Sequence, residues 1–156
     1  MLAITANPPT SSTQWRAAAA LLEDQKRQRD LRVARAKVLV VDDDPDIRLT
    51  LRQVLRDEGF VVLEAKNGLE ALECVAEEDP DVVLLDLMMP LVNGWDVLKT
   101  LRNARKNLPV VILSAVPLEG EGGVDGIVDY VEKPISWARL LRLLATIDAC
   151  VKGRGG

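Results

Sequence analysis

The sequence predicts a five-stranded, doubly wound α/β domain, and three observations carry that prediction. Apolar, β-branched runs at about 37–41, 60–64, 81–86, 109–114 and 127–131 alternate with helix-period patterns at about 45–58, 68–78, 94–104 and 136–151. The runs are continuous instead of alternating, so the strands are expected to lie buried on both faces of a parallel sheet sandwiched by helices. Polar residues gather at their carboxyl ends: Asp42, Asp43 and Asp44 after the first, Asp86 closing the third, Ser114 closing the fourth and Lys133 after the fifth. Right-handed strand–helix–strand connections bring all of these ends to one edge, where open α/β sheets bind ligands.

Taken in order, residues 1 to about 13, including Asn7-Pro8-Pro9-Thr10-Ser11-Ser12-Thr13, read as a disordered lead-in. Gln14 to Ala36 is helix-favouring, with four consecutive alanines and many Arg, Gln and Glu residues. Trp15 and Leu22 share a heptad position, but Arg29 comes next in line, so this segment is expected to be a mostly solvated basic helix or linker. Residues 1–36 thus form an N-terminal extension, 37–151 the main domain and 152–156 a tail. In the first helix of the domain Ile47, Leu51, Val54 and Leu55 make the apolar stripe, Asp44 is the N-cap, Pro45 suits the first turn and Gly59 stops it. Gly120, Gly122, Gly123 and Gly126 crowd the segment between the fourth and fifth runs. Each would cost about 1 kcal/mol in a helix relative to Ala, so Pro117 to Gly126 is expected to hold only a degenerate helix. No output domain is expected after the last helix.

Composition narrows the function. A chain of 156 residues, 48% hydrophobic, has room for one domain with a real core and an appendage. Residues 1–36 carry six Lys/Arg against three Asp/Glu, whereas the remainder carries 14 against 21. The main domain is therefore acidic, a poor electrostatic match to nucleic acid, and no direct nucleic-acid binding is expected. There is no histidine, which excludes a Ser-His-Asp triad, a His-ligated metal and a phosphohistidine on this chain. Neither a P-loop nor a dinucleotide glycine fingerprint occurs. Cys74 and Cys150 lack metal or redox spacing and are expected to be two small buried thiols. Without a long apolar run or a signal-peptide pattern, the chain is expected to be cytoplasmic, with no membrane contact.

Clustered carboxylates at the mouth of a buried strand repel one another, and a cation relieves that repulsion. Asp42 and Asp43 are read in this way with Asp86, while Asp44 is read as a helix cap. The whole constellation resembles the receiver domain of two-component response regulators, the CheY-like fold with strand order 2-1-3-4-5. The resemblance covers residues 37 to about 150. It rests on Asp42-Asp43, on Asp86-Leu87-Met88-Met89-Pro90 with Gly94 four residues on, on Ser114-Ala115, and on Tyr130-Val131-Glu132-Lys133-Pro134.

The resemblance implies that Asp86 accepts a phosphoryl group, and that Mg²⁺ is held by Asp43, by Asp42 directly or through water, by Asp86 and by the backbone carbonyl of Met88. It implies that Lys133 holds a phosphoryl oxygen, that Ser114 donates its hydroxyl to the phosphoryl group, and that Tyr130 rotates as the switch. The implied partners are a histidine kinase or histidine phosphotransfer protein as donor and a downstream protein as reader, with homodimerisation open. Such a chain assists its own phosphorylation without turning over an external substrate. An aspartate-based phosphohydrolase is disfavoured, because Met88 stands where such enzymes carry a second acid. A constitutive docking or dimerisation module, or the receiver piece of a hybrid kinase, stays as an alternative.

Overall fold

The computed structural model describes residues 11–33, 36–90, 93–104, 107–115 and 127–154. They belong to two compact units, Met1–Arg32 and Val33–Gly156. Among the described residues the first unit holds the helix α1 (Ser12–Val33), whose last residue counts with the second unit. Its start differs from the expected lead-in to about residue 13, because Ser11 and Gln14 make a reciprocal cap. The Gln14 N–H donates to Ser11 Oγ at 3.2 Å and the Ser11 N–H to Gln14 Oε1 at 3.3 Å. This is the S-x-x-Q capping box, which satisfies two donors that a helix start leaves unpaired. Trp15, Leu21 and Leu22 are exposed on α1.

The second unit runs β1 (Lys37–Val41), α2 (Pro45–Asp57), β2 (Val61–Ala65), α3 (Gly68–Glu78), β3 (Val82–Asp86), α4 (Gly94–Ala104), β4 (Val110–Ser114), β5 (Ile127–Glu132) and α5 (Trp137–Arg154). All pairings are parallel, in the order β2-β1-β3-β4-β5. The order reverses between β1 and β3, which opens a crevice at their carboxyl ends. The expected degenerate helix at Pro117–Gly126 lies outside the described residues.

Strand side chains alternate between two apolar layers, as the pleat requires. Val38, Val40, Val82, Leu84, Val111, Leu113 and Val131 pack with Leu51 and Leu55 of α2 and with Leu143 and Ile147 of α5. Leu39, Val41, Val83, Leu85, Val110 and Ile112 pack with Ala71 and Val75 of α3 and with Val97, Leu98 and Leu101 of α4. Burial on both faces holds for β1, β3 and β4, apart from a half-buried Lys37, but β2 and β5 are partly exposed. These two are the sheet edges, so their outer parts lack a neighbouring strand.

Two local features set the ends of α2, the first of them at the crevice. Asp44 caps α2 by accepting the Asp46 N–H at 2.9 Å, and Pro45 starts the helix, as expected. Gly59, at φ 93°, adopts the left-handed conformation that ends α2 without a Cβ penalty. Cys74 and Cys150 are free but half-buried, not buried, because each lies at the margin of its layer. Burial raises both thiol pKa values, helped by the acids Glu78 and Glu77 near Cys74 and Asp129 near Cys150. Among the described residues, no helix is long and apolar enough to cross a membrane.

Candidate phosphoacceptor site

Where β1 ends, the chain sinks a carboxylate instead of turning it to water. Asp42 is fully buried. Its N–H donates to the Ala65 carbonyl at 3.2 Å, its Oδ1 accepts the Asp44 N–H at 2.9 Å, and its Oδ2 accepts Lys133 Nζ at 2.6 Å. Asp86, the last residue of β3, is likewise buried. Its Oδ1 accepts the Met88 N–H at 2.9 Å and its Oδ2 lies 3.2 Å from Lys133 Nζ. Asp43, between Asp42 and the helix cap, is exposed. Oxygens of Asp42, Asp43 and Asp86 lie within 4.8 Å of one another.

Backbone pairing delivers the remaining members. The Lys133 N–H donates to the Ser114 carbonyl at 2.7 Å, so β5 carries the lysine to the end of β4, where Ser114 is buried. The Lys133–Pro134 peptide is cis. Tyr130 is half-buried and packs against the α3/α4 layer. Beside it Asp129 accepts Thr146 Oγ1 at 3.1 Å and pairs with Arg142 at 3.3 Å, tying α5 to β5. Met88 leaves the strand end and is exposed.

Gly94 explains the spacing after Asp86. A Cβ there would stand 2.5 Å from the Leu87 Cα and 2.9 Å from the Asp86 carbonyl oxygen. The start of α4 rests directly on the backbone that follows Asp86, and only glycine leaves room for it.

The electrostatics follow from one ammonium facing two buried acids. Burial raises the pKa of Asp42, and the nearby charge of Asp86 adds to this. The hydrogen bonds from Lys133 and from the Asp44 amide offset it only in part. Burial on its own would lower the pKa of Lys133, but its hydrogen bonds and charge pairing with Asp42 and Asp86 outweigh that and raise it. Lys133 is therefore firmly cationic. Asp43 adds a third carboxylate beside the two that pair with Lys133, and an all-oxygen set of that kind suits a hard divalent cation.

Sequence reasoning missed Arg48. Its Nη1 donates to the Asp42 carbonyl at 2.6 Å, and its Nε lies 3.8 Å from Glu64 of β2. The available signal was its place one turn after the Asp44 cap, but an arginine on the polar side of an amphipathic helix reads as a solvated charge.

Comparison with known proteins gives this geometry a family. The model of the response regulator receiver domain matches residues 38–145. SilR of Salmonella typhimurium, described as a probable transcriptional regulatory protein, is 39% identical over 114 residues, which are 71% of this chain and 50% of SilR. The receiver domain of a Francisella response regulator is 34% identical with a TM-score of 0.69, covering 76% of this chain and 98% of that domain. TrrA of Thermotoga maritima, solved in complex with Mg(2+)-BeF, is 30% identical with a TM-score of 0.65, covering 72% of this chain and 98% of TrrA.

The chain spans about half the length of the curated relatives it matches. One expectation is overturned here. Absence of direct nucleic-acid binding was inferred from the acidic main domain, but relatives such as CusR of Escherichia coli are described as transcriptional regulatory proteins, and the charge of one domain speaks only for the residues that carry it. The carboxylates at the β1/β3 crevice, the strand order 2-1-3-4-5 and the family match agree, and the chain belongs to the response regulator receiver domain family.

Proposed function

We propose that residues 37–151 are a phosphorylatable receiver of a two-component or phosphorelay system, with Asp86 as phosphoacceptor and residues 1–36 as an extension to it. One observation carries the reading: two buried carboxylates share the ammonium of Lys133 at the crevice of a parallel sheet, and a third, exposed, stands beside them. Such a site is short of positive charge before any anionic donor arrives. Mg²⁺, when bound, would supply it, offsetting both the carboxylates and the phosphoryl oxygens. Asp42, Asp43, Asp86 and the Met88 carbonyl would hold it; Mg²⁺ as the cation is supported by the likeness to TrrA, which was solved with Mg(2+)-BeF.

In the transfer, a carboxylate oxygen of Asp86 attacks the phosphorus of a phosphohistidine on the donor kinase or phosphotransfer protein. The P–N bond breaks, its electron pair stays with the imidazole, which takes up a proton, and Asp86 becomes an acyl phosphate. Lys133 then exchanges part of its contact with Asp86 for a phosphoryl oxygen, and the Ser114 hydroxyl donates to another. Tyr130 rotates in response, so one added charge shifts the population of a surface that a downstream protein reads. The chain promotes its own modification and is not an enzyme on an external substrate. The same reading locates it in the cytoplasm with its donor. A second reading, in which α1 docks or dimerises irrespective of phosphorylation, draws on the exposed Trp15, Leu21 and Leu22.

The test is incubation with Mg²⁺ and a small acyl phosphate, followed by intact mass. Wild type should gain one phosphoryl group; Asp86→Asn, or wild type in excess chelator, should gain none. Uptake by Asp86→Asn would overturn the assignment.

A further inference from the structure

We propose that Arg48 is a positioning residue for the cation site, acting through the backbone that flanks Asp43; the proposal deepens the receiver reading and rests on it. The carboxylates of Asp42 and Asp86 are each held by a backbone amide and by Lys133. Asp43 is different. Among the described residues its carboxylate has no hydrogen bond or ion pair, so its position depends on the two peptide planes on either side of it. The plane after it is fixed by the Asp44 N–H donating to Asp42 Oδ1 at 2.9 Å. The plane before it contains the Asp42 carbonyl, and that carbonyl accepts Arg48 Nη1 at 2.6 Å.

Arg48 is itself held. Its side chain is only 18% exposed, and its Nε lies 3.8 Å from Glu64 Oε1. Arg52, one turn further along α2, lies 3.0 Å from Glu64 Oε2 and holds that carboxylate in turn. The planar guanidinium therefore spans from β2 to the end of β1 in one orientation, which a lysine point charge does less well. Charge neutralisation is the bland reading of an arginine beside three acids. The geometry argues against it, because the short contact goes to a carbonyl and the ion pair to Glu64, outside the cluster. Arg48 orients Asp43 for a cation and supplies no ligand.

The test measures Mg²⁺ affinity of the full chain by calorimetric titration, with no phosphodonor present, across a double-mutant cycle. Arg48→Met keeps the stem and removes the donor. It should weaken Mg²⁺ binding about tenfold, the low end for a residue behind a metal ligand, while Arg48→Lys should recover much of the loss. In an Asp43→Asn background, titrated to higher Mg²⁺, Arg48→Met should change affinity less than about twofold, since the group it orients is already gone. Wild-type affinity in Arg48→Met, or an equal loss in both backgrounds, would overturn the positioning role while leaving the receiver reading intact. A wild-type chain that binds no Mg²⁺ would overturn both. If Arg48→Met does not fold, Arg48→Gln takes its place, and failure of both to fold would assign Arg48 to the fold alone and end the proposal.

Discussion

The N–H of Lys133 donates to the carbonyl of Ser114 at 2.7 Å, so the proposed phosphoryl clamp and the proposed switch hydroxyl are joined through main chain. Their side chains can be altered one at a time without breaking that link. Ser114→Ala should therefore retain the fold, at a cost of about 1 kcal/mol for a lost hydroxyl, and should still take up phosphate at Asp86. It should lose the conformational response. The comparison is the change in tryptophan fluorescence on phosphorylation, wild type against variant, at equal phosphate content by mass. A full response in Ser114→Ala would remove the hydroxyl from the switch.

Lys133 contacts more than an incoming phosphoryl group, since Asp42 and Asp86 both lie against its ammonium. Removing one partner of a buried charge cluster leaves the others uncompensated. Lys133→Met should lower unfolding free energy by about 3 kcal/mol in chelator, and Mg²⁺ should restore more stability to the variant than it adds to wild type. Urea denaturation with and without Mg²⁺ measures both quantities. Equal Mg²⁺ stabilisation of the two proteins would contradict the view that ammonium and cation serve the same carboxylates.

Gly94→Ala should be among the most damaging small substitutions in the domain. The added methyl meets backbone, at 2.5 Å from the Leu87 Cα, and backbone cannot swing aside as a side-chain tip does. A loss of about 3 kcal/mol is expected, at the upper end for overpacking. A variant within about 0.5 kcal/mol of wild type in urea denaturation, the range of ordinary surface substitutions, would refute the argument.

A chain beginning at Ala36 should fold and accept phosphate. Ala36 is buried and its carbonyl accepts the Val61 N–H at 2.9 Å, so this cut leaves the first turn of the β1/β2 pairing intact. Circular dichroism and intact mass after acyl-phosphate treatment check the outcome, and light scattering shows whether α1 contributes to oligomerisation. An insoluble truncation would mean that the extension supports the domain.

The fold was legible because the central strands are continuous apolar runs, and because Asp44, Pro45 and Gly59 punctuate α2 in the expected order. The edges were legible only through the family resemblance, whose order 2-1-3-4-5 puts β2 and β5 outermost; the residues of β2 alone do not announce it. Most of the site was legible for a topological reason, since parallel strands deliver Asp42, Asp86, Ser114 and Lys133 to one edge wherever they lie in the chain. Arg48 was not, because a contact from a long side chain to a main-chain carbonyl leaves no compositional trace. The start of α1 was legible and overlooked, in the Ser11-Ser12-Thr13-Gln14 order. The nucleic-acid expectation failed because a net charge was taken to describe more than its own segment.

Among the described residues the two apolar layers have no buried side chain in common; the sheet backbone is the partition between them. Mechanically the described part of the domain is thus a laminate, whose two plies are each bonded to a shared sheet. Repacking α2 and α5 should leave the fit of α3 and α4 undisturbed, so cores on opposite faces can drift or be redesigned separately. The crevice at the carboxyl edge is the exception, because there the chain leaving β1 toward α2 and the chain leaving β3 toward α4 come together over one cluster of charge. A signal entering at that seam has access to both plies, whereas a defect arising inside either one stays local.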